Sequence, residues 1–193
     1  PLILNQILSF SFSQKIKSRR PNMQQILETE RLRIRPLSAE DSKFILELVN
    51  TEGWLKFIGD RNVKGIPDAI DYIERIMKND QVFYNVFELK ETKQPIGIVT
   101  LLFRDTLPFP DIGFAILPDF GNKGYTFEAS RNYLDALMGN TSIQTILGIT
   151  LPDNITSINL LEKLGLKYEG SFLKDDEELL RYRTNIKTNK RID

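Results

Sequence analysis

Apolar and polar residues alternate along this chain with two periods, and each period marks a different kind of element. Leu32-Arg-Ile-Arg-Pro36 alternates strictly and predicts a first strand with its apolar side inward. Phe44, Ile45, Leu48 and Val49 then fall on one helical stripe, opened by the capping pattern Ser38-Ala-Glu-Asp41. Residues 51–65 carry the single tryptophan and are less regular. Pro67 suits the first turn of a helix, and Ile70, Ile73, Ile76 and Met77 predict its buried side. Val82 to Lys90 and Ile96 to Arg104 read as strands joined in a hairpin through Glu91-Thr-Lys-Gln-Pro95. A proline-stiffened loop, Asp105 to Pro110, leads into an apolar strand from Asp111 to Leu117, which Pro118 ends.

The second half repeats the theme. Phe127, Ser130, Leu134, Leu137 and Met138 recur near the helical period, and Gly139-Asn140 supplies a stop. Ile143 to Thr150 predicts a strand, Asn154 to Leu164 a helix ended by Gly165, and Leu166 to Phe172 with Glu178 to Ile186 a closing strand pair. The resulting order, β-α-α-β-β-β-α-β-α-β-β, predicts a mixed α/β sandwich.

Composition narrows the chemistry. The chain of 193 residues is the size of one domain, and an apolar fraction of 41% can fill a core. Lys and Arg number 26 against 26 acidic residues, so no bulk field draws in nucleic acid or a membrane surface. Residues 1–22 stand apart as a basic, acid-free extension, and residues 23–193 are expected to form the domain. In that extension the apolar run precedes the basic cluster, the reverse of a secretory signal, while its serines also fit a transit-like segment. With no cysteine and no histidine, disulfides, thiolate metal sites and a Ser-His-Asp triad are excluded. No metal is expected. Chemistry must rest on carboxylates, tyrosine, lysine, backbone dipoles and water.

One stretch carries the strongest signal. The strand from Asp111, the turn Gly121-Asn122-Lys123-Gly124 and the helix from Tyr125 form a strand–glycine turn–helix unit. Such a unit turns unpaired N–H groups and the positive helix end toward an anion, and Gly124 lets a phosphate come close. Lys123 adds a charge at the mouth, so a diphosphate-bearing ligand is expected. The same residues also serve any plain β–α connection. Neither the P-loop pattern nor the dinucleotide fingerprint is present.

Asp111 to Ser130 together with Pro152 to Leu166 resembles the GNAT superfamily of acyl-CoA-dependent N-acyltransferases. Leu27-Glu-Thr-Glu-Arg-Leu-Arg-Ile-Arg-Pro36, Gly53-Trp-Leu-Lys-Phe-Ile-Gly-Asp-Arg61 and Gln94-Pro-Ile-Gly97 are similar to its RimJ/RimL branch, the ribosomal-protein N-terminal acetyltransferases. The resemblance implies a mostly antiparallel central sheet flanked by helices, with splayed central strands forming the acyl-CoA cleft. It also implies acetyl-CoA as co-substrate, a protein N-terminus or small amine as acceptor, a cytoplasmic setting, and a monomer or homodimer.

The resemblance also assigns sites. Its pyrophosphate pattern falls on Gly121, Asn122, Lys123, Gly124, Tyr125 and Thr126; Gly124 matches, while Gly121 and Thr126 depart from it. Phe114, Ala115 and Ile116 would lie along the pantetheine arm, with Asn154 and Ser157 touching the cofactor and Asn159 on an adjacent face. Asn154 equally suits a plain helix cap. Deprotonating an amine needs a base, and Asp111 is the first candidate and Asp105 the second; partial burial would raise either pKa usefully. Where some relatives carry a tyrosine acid, this chain has Leu161. Trp54 and Arg61 would face the acceptor, although Trp54 also reads as core and Arg61 and Asp60 as solvated charges.

Overall fold

Eight strands and five helices make up the computed structural model, which describes residues 25–139 and 143–185. The strands are β1 (Leu27–Glu28), β2 (Leu32–Pro36), β3 (Val82–Leu89), β4 (Pro95–Leu102), β5 (Asp111–Ile116), β6 (Thr145–Thr150), β7 (Lys167–Lys174) and β8 (Glu177–Asn185). The helices are α1 (Ser42–Val49), α2 (Glu52–Phe57), α3 (Ile66–Lys78), α4 (Tyr125–Met138) and α5 (Ile155–Lys163). The extension 1–22, Asn140, Ile186 and the Met138 side chain lie outside the described residues.

All eight strands join one sheet in the order β1-β2-β3-β4-β5-β6-β8-β7. Neighbours are antiparallel except β5 and β6, which run parallel and are joined through α4. Alternation along the strands feeds two cores, one on each face. Phe87 and Val99 point toward the cluster that includes Ala129, Tyr133, Leu134 and Leu161 of α4 and α5. Their chain neighbours Val86 and Ile98 point the other way, toward Ile45, Leu48 and Ile73 of α1 and α3. The sheet is therefore covered by helices on both sides, as the sequence pattern requires.

Three local differences have physical causes. The irregular stretch after residue 51 contains α2, a single short helix whose Thr51 hydroxyl caps the Trp54 N–H at 3.3 Å. The capping pattern before α1 first makes one tight turn, Ala39–Asp41, in which the Asp41 carboxylate accepts from the Ser38 N–H at 2.9 Å. That carboxylate is also gripped by Arg35 at 2.8 Å, which locks β2 to the helix layer. On α3 the buried stripe is Ala69, Tyr72, Ile73 and Ile76, and Met77, expected inward, is 60% exposed. Tyr72 takes the place that periodicity assigned to a purely aliphatic stripe.

The sheet opens where its direction changes. Asp111 stands opposite Leu147, and the Leu147 N–H donates to the Pro110 carbonyl at 2.9 Å. No further residue of β5 pairs with β6. Beyond that point the parallel strands part, and both of their carboxyl ends lead into helix N-termini. An open α/β sheet takes its ligands at such a place.

Candidate functional site: the opening between the parallel strands

Backbone direction sets what the opening offers. On the β4 side, Leu117 donates to the Ile96 carbonyl at 2.9 Å, so the residues of β5 alternate from there, odd numbers toward β4. Phe114 and Ile116 therefore turn their N–H and C=O groups toward the parted β6. Although β5 is a central strand, both residues are only half-buried. Ala115 does the opposite. It stands opposite Ile98, its backbone faces β4, and its methyl packs into the α1–α3 core. Of the three residues expected along a pantetheine arm, Ala115 has no backbone group to give it.

The mouth of the opening is the N-terminus of α4. Gly124 caps it at φ +80°, a left-handed conformation that costs other residues about 1–2 kcal/mol. A glycine cap has no side chain, so among the described residues the N–H groups of Gly124, Tyr125, Thr126 and Phe127 meet no acceptor. The other half of the turn is committed elsewhere. The Gly121 N–H donates to the Pro118 carbonyl at 2.9 Å, and the Lys123 amine folds back to the Asp119 carbonyl at 2.8 Å. Gly121 thus shapes the turn, while the free donors belong to Gly124 and the first helical turn.

Arg31 completes this mouth from a distant part of the chain. Its guanidinium binds the Glu128 carboxylate at 2.6 Å, donates to the Lys123 carbonyl at 3.1 Å and lies 4.3 Å from the centre of the Tyr125 ring. Glu128 sits in the first turn of α4, and it also accepts from the Arg31 N–H at 3.0 Å and from the Thr29 hydroxyl at 2.5 Å. These partners hold its pKa below the usual glutamate range despite the opposing effect of burial. The brace neutralises a carboxylate that would otherwise repel an anion. Arg31 and Glu128 are far apart in sequence, so no local pattern pairs them.

The second helix end at this edge is closed. The Asn154 side chain accepts from the Ser157 N–H at 3.1 Å, an ordinary cap on α5. The Ser157 hydroxyl makes no hydrogen bond among the described residues. Lys56 of α2 reaches across to Asp153 at 2.9 Å, joining the α1–α3 side to the start of α5. Leu161 is 1% exposed and packs on β6, where a Cβ on Gly148 would come within 2.4 Å of it. The position at which the resemblance implies a tyrosine acid is thus a core contact.

At the closed end lies Asp111. It is 3% exposed, and Arg104 binds it at 2.8 Å and 3.3 Å through two nitrogens. Burial raises its pKa, the Arg104 bonds pull the other way, and the net direction is upward. The burial that a base at Asp111 would need is present. Asp105 is exposed on the loop before β5, so only Asp111 has the burial that a base needs. Tyr84 stands nearby, its hydroxyl 3.4 Å from that of Tyr72. Burial and the Tyr72 hydroxyl push the Tyr84 pKa up, while the charges of Arg61 and Arg104 oppose the rise. Both arginines are thus within electrostatic reach of one phenol. Sequence reasoning missed Arg104, Tyr72 and Tyr84; the β4–β5 register, with Leu102 opposite Asp111, is what brings Arg104 over.

Two acceptor-side expectations resolve differently. Trp54 is 3% exposed and belongs to the α1–α3 core. Arg61 is exposed, on a loop shaped by Asp60, whose carboxylate accepts from the Asn62 N–H at 2.7 Å. Asp60 builds that turn. Among the described residues no group of three or more acidic side chains is placed to hold a metal ion.

Known proteins share this fold. The model of the acetyltransferase (GNAT) domain family matches residues 31–167, and the chain belongs to that family. It is 25% identical over 148 residues to the uncharacterized N-acetyltransferase YnaD of Bacillus subtilis (strain 168), a match covering 77% of this chain and 86% of that protein. Its fold is similar to that of a ribosomal-protein-S5-alanine acetyltransferase from Vibrio fischeri, with TM-score 0.70 and 19% identity over 83% of this chain and 96% of that one. It is also similar to RimL, a ribosomal L7/L12 alpha-N-protein acetyltransferase solved in complex with coenzyme A. There the TM-score is 0.74 at 12% identity, over 86% of this chain and 100% of that one. The mostly antiparallel sheet with helices on both faces is the fold of this family, and N-acetyltransferase relatives make the protein an acyltransferase of the GNAT type.

Proposed function

We propose that the protein moves an acetyl group from acetyl-CoA to a primary amine, on a protein N-terminus or a small molecule, by direct attack in a ternary complex. One observation carries the reading: a single opening has free backbone donors at its mouth, unpaired strand groups along its wall and a buried carboxylate at its closed end. The N–H groups of Gly124 to Phe127 suit the pyrophosphate, with Arg31 keeping Glu128 from opposing it. Phe114 and Ile116 suit the amides of the pantetheine arm, and an N–H of this pair would hold the thioester oxygen as charge develops on it. Asn154 caps α5, and the free hydroxyl of Ser157 beside it is the better candidate for a cofactor contact.

Acetyl-CoA supplies a thioester already activated for transfer. Asp111 takes a proton from the incoming ammonium, directly or through water, so that the nitrogen lone pair can attack. The new C–N bond forms as the C–S bond breaks, and the second proton leaving the nitrogen passes through water to the departing thiolate. The setting we assign is cytoplasmic, where the co-substrate is made, with no metal, nucleic acid or membrane needed. Among the described residues no helix is long and apolar enough to cross a membrane.

The Arg104 bond favours a second reading, a CoA-binding protein whose carboxylate stays locked. Thermal melting with acetyl-CoA, followed by an amine screen, separates the two. Acetyl-CoA at about 100 times its dissociation constant is expected to add about 2.7 kcal/mol of stability. Stabilisation with acetylated product supports the enzyme. Stabilisation without product from any amine supports the locked protein, and no stabilisation overturns both.

A further inference from the structure

Strand register places a second polar group beside Asp111. Tyr84 of β3, Thr100 of β4 and Gly113 of β5 stand directly opposite one another in one row across the sheet. Alternation puts this row on the face that carries Ile98 and Ala115, toward α1 and α3. Asp111 precedes Gly113 by two residues, so its carboxylate lies on the same face. Thr100 and Asp111 are therefore diagonal neighbours on adjacent strands, about 7–8 Å apart between Cα atoms. One small group can touch both side chains.

The row meets the opening at its closed end. Beyond Asp111 no residue of β5 pairs with β6, and Gly113, although on a central strand, is only half-buried. Gly113 also shows where Thr100 points. A Cβ built on the glycine would come within 2.7 Å of the Thr100 hydroxyl oxygen, so that oxygen leans over β5.

The hydroxyl is unpartnered. Thr100 is 4% exposed, and its oxygen makes no hydrogen bond among the described residues. It is not one of the unpartnered atoms that are fully sealed, so solvent still reaches it. The polar groups nearest in the row and on the diagonal are engaged elsewhere, Tyr84 with Tyr72 at 3.4 Å and Asp111 with Arg104 at 2.8 Å. A buried hydroxyl without a partner is costly, and a native fold keeps one where a water or a ligand completes it. The free donors of α4 lie on the other face of the sheet, with Ala129 and Leu134. Co-substrate and amine thus have opposite faces to approach from, and they meet where the strands part.

We infer that the Thr100 hydroxyl holds the acceptor nitrogen beside Asp111. Its oxygen accepts one N–H of the incoming amine while another N–H faces the carboxylate. No proton changes hands at Thr100; it fixes the nitrogen at the gap through which the thioester is reached. The inference rests on the acetyl-transfer reading for its chemistry.

Thr100→Val, Thr100→Ser and Gly113→Ala are compared with the wild type, with acetyl-CoA as donor. Two amines serve as probes, the amide of Ala-Ala-Ala and hydroxylamine, and product is read by mass spectrometry above the uncatalysed rate. Valine keeps the shape and removes the oxygen. It is expected to lower kcat/KM about fivefold for hydroxylamine, one neutral hydrogen bond, and about tenfold or more for the charged peptide. CoA affinity by calorimetry should be unchanged and the melting temperature not lowered, because no unpartnered polar atom is left. Serine keeps the oxygen and should retain most of the rate, whereas the Cβ of Gly113→Ala displaces the hydroxyl and should reproduce the valine loss. Wild-type kcat/KM in Thr100→Val, or a loss that serine does not rescue, overturns the inference. So does a lowered melting temperature with an equal loss of CoA affinity, which would make the hydroxyl a structural group. No product from the wild type with either probe overturns the transfer reading itself, and the role of Thr100 falls with it.

Discussion

The two ends of the opening treat charge in opposite ways. At the closed end a carboxylate is taken out of water, 3% exposed, and held by one guanidinium that is itself half in solvent. At the mouth the donors carry no formal charge: four backbone N–H groups stand behind a glycine cap, and the carboxylate beside them, Glu128, is paired with Arg31. Burial moves a pKa and makes a group chemically ready, so it belongs where a proton must change hands. Exposure keeps donors ready for a ligand that brings its own charge, so it belongs where an anion docks. The N-terminus of α5, at the same edge, shows the cost of the other choice. Its Asn154 cap satisfies the Ser157 N–H and leaves one donor fewer to offer.

The contrast makes separable predictions. Asp111→Asn removes the proposed base and should lower kcat by about 10²–10⁴-fold while CoA affinity is retained; single-turnover product formation beside a CoA titration checks both halves. Loss of both together would show that the two ends are not independent. At the mouth, Gly124→Ala forces a Cβ into a left-handed position at the proposed phosphate site. CoA binding is expected to weaken about tenfold or more, roughly one charge-assisted hydrogen bond, with kcat at saturation nearly unchanged.

Arg31→Gln leaves Glu128 unneutralised at the anion site, and should cost about fivefold in CoA affinity. Adding Glu128→Gln should restore most of it, a rescue that a direct phosphate contact from Arg31 would not allow. Arg104→Gln tests the closed end more finely. The Asp111 pKa already lies above the ordinary 3.8, and removing the one charge that lowers it must raise it further. The acidic limb of the kcat profile should then move to higher pH, since a base works only once deprotonated. The smallest effect belongs to Asn154→Ala, about 1 kcal/mol of stability by thermal melting, with CoA affinity little changed.

Much of this molecule was legible along the chain. The alternation at Leu32–Pro36, the proline at the start of α3 and the glycine before α4 each act through neighbours a few residues away, and each produced the element that its pattern predicts. The two turn aspartates of the β7–β8 hairpin, Asp175 and Asp176, adopt positive φ angles of 52° and 64°, as a tight two-residue connection demands. The helix α2 was not legible, because six residues capped by one threonine carry too short a stripe to show a period. The direction in which Ala115 faces was not legible for a different reason. Neighbouring residues of a strand face opposite ways, and only the register with β4 says which of them faces the opening.

The sequence by itself determined the order of elements, the absence of histidine and cysteine chemistry, and the glycine turn that leaves helix donors free. All of these are local, set by residue type and by spacing within a turn or two. Only the tertiary structure decided that Asp111 is buried and gripped by Arg104, that Arg31 reaches Glu128, and that the Tyr72 and Tyr84 hydroxyls meet. Those pairings join segments separated by strand register, helix packing and a parted sheet. Electrostatics acts through space rather than along the chain, so charges that meet across the fold leave no period for the sequence to display.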